Sequence, residues 1–199
     1  MARSRSPYQK PDHFTRDAKK AGYPARSVFK LEEIDQRVKL LRGGMCVLDL
    51  GAAPGSWSLY AAKKVGASGK VMAVDLTPMG TALPDNVTVL QGDALSLEEG
   101  QVARFAPYDA VLSDMAPSTS GNKSSDQARS FELFMRALAV AATLLKPGGS
   151  FVGKLFMSED LPLARVELKR LFAEERLIRP EGTRSVSTEL FIVGLRRKP

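Results

Sequence analysis

The chain has 199 residues, 44% hydrophobic and 26% charged, which is enough for one well-cored globular domain and short for two. No run approaches the roughly 18 apolar residues that a membrane span needs. The net charge of +7 comes with a single histidine and a single cysteine. His13 alone supplies neither a His-rich metal site nor a Ser-His-Asp triad, so no metal is expected. Cys46 cannot form an internal disulfide, which fits a reduced, cytoplasmic setting.

The N-terminal stretch MARSRSPYQKPDHF carries arginines with no apolar core behind them, so it does not read as a secretory signal. Residues 1–30 hold eight Lys/Arg against Asp12 and Asp17, a net +6 of the total +7. That is either a solvated basic tail or an arm that contacts phosphates. In SVFKLEEIDQRVKLL, Val28, Leu31, Ile34, Val38 and Leu41 recur at helical spacing. This helix should pack on the core and carry the arm to it.

From residue 45 short apolar runs alternate with helical patterns. MCVLDL, KVMAVDL, VTVLQGD, YDAVLSD and SFVGKLF read as strands. SWSLYAAKKV and DQARSFELFMRALAVAATLLK read as helices, the second stopped by KPGG, and ALSLEEGQVARFAP as a short helix. LPLARVELKRLF then reads as a helix, followed by strands RLIRP and TELFIVGLRR. The EGTRSVS link between these last strands is too brief for a crossover helix, so they should be antiparallel. The expectation is an α/β fold: a mostly parallel seven-stranded sheet with one reversed strand near its edge and helices on both faces. It is read as one domain over 1–199, with a basic arm (1–25), an N-terminal helix (26–42) and a core (45–199). A second basic set, Arg165, Lys169, Arg170, Arg176, Arg179 and Arg184, lies toward the C-terminus. Two basic sets around a neutral middle favour a polyanionic partner.

Ligands of open parallel sheets bind beyond the carboxyl ends of the strands, so the residues there are the site candidates. DLGAAPGSW, after the first strand, has small residues that let backbone approach a ligand, followed by the free N–H groups of a helix. It is neither G-x-G-x-x-G nor a P-loop, and could be an ordinary tight turn. Asp75, twenty residues past Gly55, is placed to accept from both ribose hydroxyls. Asp93 could accept from an adenine amino group or cap a helix. Together they suggest a nucleoside pocket, which an NAD-dependent oxidoreductase would share. Asp114 ends the fourth strand, Lys154 lies near the end of the fifth, and Glu189 begins the last. A reversed strand starts where the parallel ones end, so Glu189 should reach the same rim, as a catalytic group or as part of a salt-bridge network.

FKLEEI (29–34), VLDLGAAPGSWS (47–58), DLTPM (75–79), LQGD (90–93), SDMAPSTSG (113–121), LKPGGSFVGKLF (145–156) and the terminal TELFIVGLRRKP are specific in that order. Over nearly its whole length the chain resembles the FtsJ-like bacterial ribosomal RNA 2′-O-methyltransferases. The resemblance implies a class I, Rossmann-like fold with S-adenosyl-L-methionine as cofactor. It implies a catalytic Lys-Asp-Lys-Glu tetrad on Lys30, Asp114, Lys154 and Glu189, and a cofactor site lined by Gly55, Trp57, Asp75, Asp93 and Asp114. It also implies the substrate, a uridine ribose in the A-loop of 23S ribosomal RNA of the large subunit. A single domain without an appended RNA-binding module suggests a monomer that borrows specificity from the ribosome. The same core would serve tRNA or another RNA. A non-catalytic ribosome-assembly factor would instead be expected to have lost part of the tetrad. Lys154 would take up the hydroxyl proton or orient the 2′-oxygen. Three departures stand out: Ser56 where the family has a second glycine, Phe191 where it commonly has tyrosine, and no arginine between Arg184 and Glu189.

Overall fold

The computed structural model describes residues 13–94, 96, 99–184 and 187–199. The first twelve residues of the expected arm therefore lie outside the described residues. The arm's next segment is not extended: His13–Lys20 form a helix, α1, whose Ala18 is fully buried and whose Phe14 ring meets Phe29.

Helix α2 (Val28–Val38) buries Val28, Leu31 and Ile34, as their spacing requires. It stops three residues short of the expected Leu41. Lys39 turns left-handed at φ 54°, and the Asp35 carboxylate accepts the N–H of Leu41 at 2.9 Å. The turn keeps Leu40 and Leu41 buried without continuing the helix.

The core follows as β1 (Cys46–Leu50), α3 (Ser56–Val65), β2 (Lys70–Asp75), β3 (Val87–Gln91), the single-turn α4 (Glu99–Val102), β4 (Tyr108–Ser113), α5 (Lys123–Leu144), β5 (Leu145–Phe156), α6 (Leu161–Leu171), β6 (Phe172–Ile178) and β7 (Glu189–Arg197). They build one seven-stranded sheet in the order β3-β2-β1-β4-β5-β7-β6, in which only β7 runs against its neighbours. Trp57, Ala61 and Val65 of α3 join Val28, Leu31 and Ile34 of α2 on one face. Phe134, Ala137 and Leu138 of α5 join Ala164 and Leu168 of α6 on the other.

Two further boundaries differ from the sequence reading. α5 ends at Leu144 and β5 begins at Leu145, so KPGG lies inside the strand, where Leu145 pairs with Tyr108 and Ser150 with Ala110. Five steps against two make a bulge, and it absorbs Pro147, Gly148 and Gly149. β6 begins four residues before the expected RLIRP, because pairing with β7 already starts at Phe172 opposite Arg197, and Phe172 and Ile178 are buried at its two ends. Its Glu174, Glu175 and Arg176 line an outer edge, where charged side chains discourage pairing with another chain.

Candidate active site

Side chains alternate between the two faces of a strand. Val47, Ala110, Leu112, Val152 and Val193 face the α2–α3 layer. Continuing that alternation toward the carboxyl ends of the parallel strands puts Asp49, Asp114 and Lys154 on the same face. Glu189 joins them because Phe156 pairs with Glu189 in the antiparallel β5–β7 register.

The four candidate catalytic residues form two ion pairs. Lys154 Nζ donates to Asp114 Oδ1 at 2.9 Å and also to the Asp114 backbone carbonyl. Lys30, in the first turn of α2, pairs with Glu189 Oε1. Lys154 is 7% exposed and Glu189 9%, so both bury their charge against a partner, as burial demands. Lys30, Lys154 and Glu189 border a cavity of about 320 Å³ with Arg26, Arg184, Ser187, Phe156 and Ala116. Its cationic crowding is felt by Arg26: burial, then the Arg184 guanidinium, hold it below the ordinary arginine value, and Glu189 opposes them. Arg26 also donates to the Gly182 carbonyl, and Glu33 accepts the N–H of Glu181 at 2.8 Å. The segment leading to Glu189 is thereby tied to α2.

A second cavity, of about 450 Å³, opens beyond β1, β2, β3 and β4 and shares Ala116 with the first. Asp75, Asp93 and Asp114 line it, together with Gly51, Ala53, Leu76, Met115 and Leu133. The Asp75 carboxylate accepts the N–H groups of Ala53 at 2.9 Å and Thr77 at 2.7 Å, which ties the turn after β1 to the end of β2. Leu76, 64% exposed, offers the cavity an apolar wall. Gly51 must be glycine: its φ is +77°, and a Cβ there would lie 2.7–2.9 Å from Met115 side-chain and backbone atoms.

The structure brings together Lys30, Asp114, Lys154 and Glu189, and it places Asp75, Asp93 and Asp114 on the second cavity. Gly55 and Trp57 do not line it. Gly55, at φ +107°, caps the start of α3 and packs tightly against Thr81. Trp57 is buried, donates Nε1–H to the Ser27 carbonyl at 2.8 Å and lies 5.6 Å from the Phe191 ring. Phe191 is itself fully buried, so the missing tyrosine hydroxyl leaves no gap in the described cavity lining. Most of the C-terminal basic set is neutralised: Arg165 and Lys169 share Glu175, Arg170 meets Glu167, and Arg176 meets Glu174.

Sequence reasoning counted Arg26 only among the basic residues of the N-terminal stretch and gave no role to Asp49. Asp49 is fully buried, accepts from Ser58 Oγ at 2.6 Å, and among the described residues its Oδ1 has no hydrogen-bond partner. Its signal was legible: an acid at a strand position whose neighbour two residues back, Val47, faces the core.

The family model described as FtsJ-like methyltransferase matches residues 23–197. The chain belongs to the FtsJ-like methyltransferase family. It is 66% identical to the ribosomal RNA large subunit methyltransferase E of Sorangium cellulosum, over 98% of this chain and 92% of that one. Identity to the protein of the same name from Bdellovibrio bacteriovorus is 47%, over 96% and 99%. Among solved structures, a chain described as a ribosomal RNA methyltransferase from Plasmodium falciparum aligns with a TM-score of 0.75 at 23% identity, over 88% of this chain and 98% of that one. Aeropyrum pernix fibrillarin, solved with S-adenosyl-L-methionine bound, aligns at 0.58 and 16%, over 78% and 68%. At those identities the likeness is one of fold.

This FtsJ-like methyltransferase uses S-adenosylmethionine, and the larger cavity fits it. Its volume lies in the range of small-molecule sites. Carboxylates at the ends of β2 and β3 suit ribose hydroxyls and an adenine amino group. Gly51 and Ala53 let backbone approach, and Asp114 gives the cavity a negative charge that suits a cationic ligand.

Proposed function

We propose that this methyltransferase modifies the ribose 2′-hydroxyl of a uridine in the A-loop of 23S ribosomal RNA, within the large subunit, as a cytoplasmic, single-domain monomer. The substrate class is supported by the name that the relatives carry. The position of the modified atom is supported by one observation: Lys154, held by Asp114, stands where the carboxylate-lined cavity meets the cationic one.

Bound S-adenosylmethionine supplies an electrophilic methyl group and a good neutral leaving group, so the hydroxyl is the weak partner. Holding the reactants in line contributes up to about 7–11 kcal/mol, and removing the hydroxyl proton adds to it. Asp114 takes two of the hydrogen-bonding positions of Lys154 through its carboxylate and its backbone carbonyl. The third borders the cationic cavity. From that position Lys154 either orients the 2′-oxygen or accepts its proton while the oxygen gains the methyl. In the second case the ammonium that results is stabilised by Asp114. Lys30 and Glu189 form the opposite wall, and Arg26 and Arg184 supply positive charge for the ribose-flanking phosphates.

The test is to incubate the enzyme with labelled S-adenosylmethionine and unmodified large subunits, free large-subunit RNA or tRNA, then map the label by nuclease digestion and mass spectrometry. A 2′-O-methyluridine in the A-loop of large-subunit RNA is expected. Label on a base, or on tRNA alone, would overturn the reading.

A further inference from the structure

Asp49 belongs to neither ion pair. Its side chain lies behind the first turn of α3, and Gly51 and Ala53, two and four residues on, line the cofactor cavity. Full burial with no described partner for Oδ1 is a costly state for a carboxylate and a far less costly one for a neutral carboxylic acid. Among the described residues the groups acting on it add no cation. Ser58 donates from α3, while Asp75 from β2 and Asp114 beyond β4 bring charge of the same sign. Lysines on neighbouring elements are engaged elsewhere: Lys154 with Asp114, Lys64 with Asp35, and Lys63 over the Tyr23 ring.

We propose that Asp49 is a positioning residue that sets the charge preference of the cofactor site: protonated in the ligand-free protein, it ionises when a sulfonium enters, so that the site favours the cationic methyl donor over the neutral thioether product. Burial pushes its carboxyl up to about 7; the Ser58 hydrogen bond opposes this, and Asp114 and Asp75 raise it further. A positive sulfonium held in the cofactor cavity would lower it again, with the proton leaving to solvent. Loss of the methyl removes that charge, Asp49 takes up a proton, and the product is held less tightly. This inference rests on the cofactor and not on the RNA target, so either can fail alone.

The experiment is isothermal calorimetry of S-adenosylmethionine and S-adenosylhomocysteine in buffers of different ionisation enthalpy, from about pH 6 to about pH 8. Heat from neither ligand would remove the cofactor assignment itself. With both bound, the donor should release more protons than the product below about pH 7, and their affinity ratio should rise with pH by up to about tenfold per unit before levelling. Groups common to the two ligands, and the other carboxylates, are controlled by Asp49→Asn, in which the ratio should not vary with pH. Ser58→Ala removes the opposing hydrogen bond and should move the levelling point to higher pH, which decides the matter if Asp49→Asn does not fold. A flat ratio in the wild type, a wild-type slope in Asp49→Asn, or an unmoved levelling point in Ser58→Ala would overturn the proposal.

Discussion

Lys154 Nζ lies 2.9 Å from Asp114 Oδ1, yet the two side chains border different cavities, Asp114 the carboxylate-lined one and Lys154 the cationic one. Substitutions at the two ends of this contact should therefore separate binding from chemistry. Lys154→Ala should slow single-turnover methyl transfer by about 10²–10⁴-fold while cofactor affinity stays within a few-fold. Asp114→Ala should lower both. Rapid-quench assays and calorimetry on the same preparations would check this, and wild-type turnover in Lys154→Ala would remove the proton-acceptor role.

The Lys30–Glu189 pair makes a claim about stability. Both side chains are about nine-tenths covered, so removing one leaves its partner buried and unpaired. Glu189→Ala should cost on the order of 3 kcal/mol in urea denaturation, and Lys30→Met with Glu189→Leu should recover much of it. Additive losses in the double variant would show that the two do not act as a pair.

The sheet is readable from the sequence because each strand run ends in a carboxylate or at a turn and each helix keeps its spacing. Those strand ends by themselves point to Asp75, Asp93, Asp114, Lys154 and Glu189. Lys30 is not legible in that way. Its place depends on how α2 crosses the sheet, a long-range packing that no local pattern encodes, and only the family resemblance marks it. Trp57 shows the converse. It stands in a motif next to the cofactor turn, but the first turn of α3 directs its ring to Phe191 and its N–H to Ser27. The pairing of Asp114 with Lys154 and of Glu189 with Lys30 is also beyond sequence, since all four share one rim and either combination fits the spacing.

Asp49 should make the ligand-free protein less stable as pH rises. A buried carboxyl raised to about 7 binds its proton more tightly folded than unfolded, where the ordinary value is about 3.9. The stability it contributes is fully present below the unfolded value and is lost as pH rises through about 7. Urea midpoints of wild type and Asp49→Asn should thus diverge between about pH 4 and about pH 8, the wild type falling relative to the variant. Parallel curves would place the proton elsewhere.

Gly51→Ala tests how close the β1 turn sits to the chain after β4. At φ +77°, with Met115 backbone 2.9 Å from a new Cβ, the substitution cannot be absorbed by side-chain motion alone. A backbone strain on the order of 1–3 kcal/mol is expected, with weaker cofactor binding because Gly51 and Met115 both line that cavity. Unchanged melting and affinity would mean that the turn has more room than these distances allow.

Truncation of the N-terminus should give two different answers depending on where it stops. Residues 1–12 carry Arg3, Arg5 and Lys10 against Asp12, whereas α1 carries Arg16, Lys19 and Lys20 and also buries Ala18 in the α2–α3 core. Removing residues 1–12 should leave the melting temperature unchanged and weaken RNA binding. The slope of log K against log salt should fall by about 0.7–0.9 for each phosphate that the arm no longer neutralises. Removing residues 1–20 should lower that slope further but also destabilise the fold, since Phe14 no longer covers Phe29 and Ala18 leaves the core. The shorter deletion is therefore the one that isolates electrostatics. If its salt slope matched the full-length protein, the basic arm would be a solvated tail, and phosphate binding would fall to α1 and the arginines of the cationic cavity.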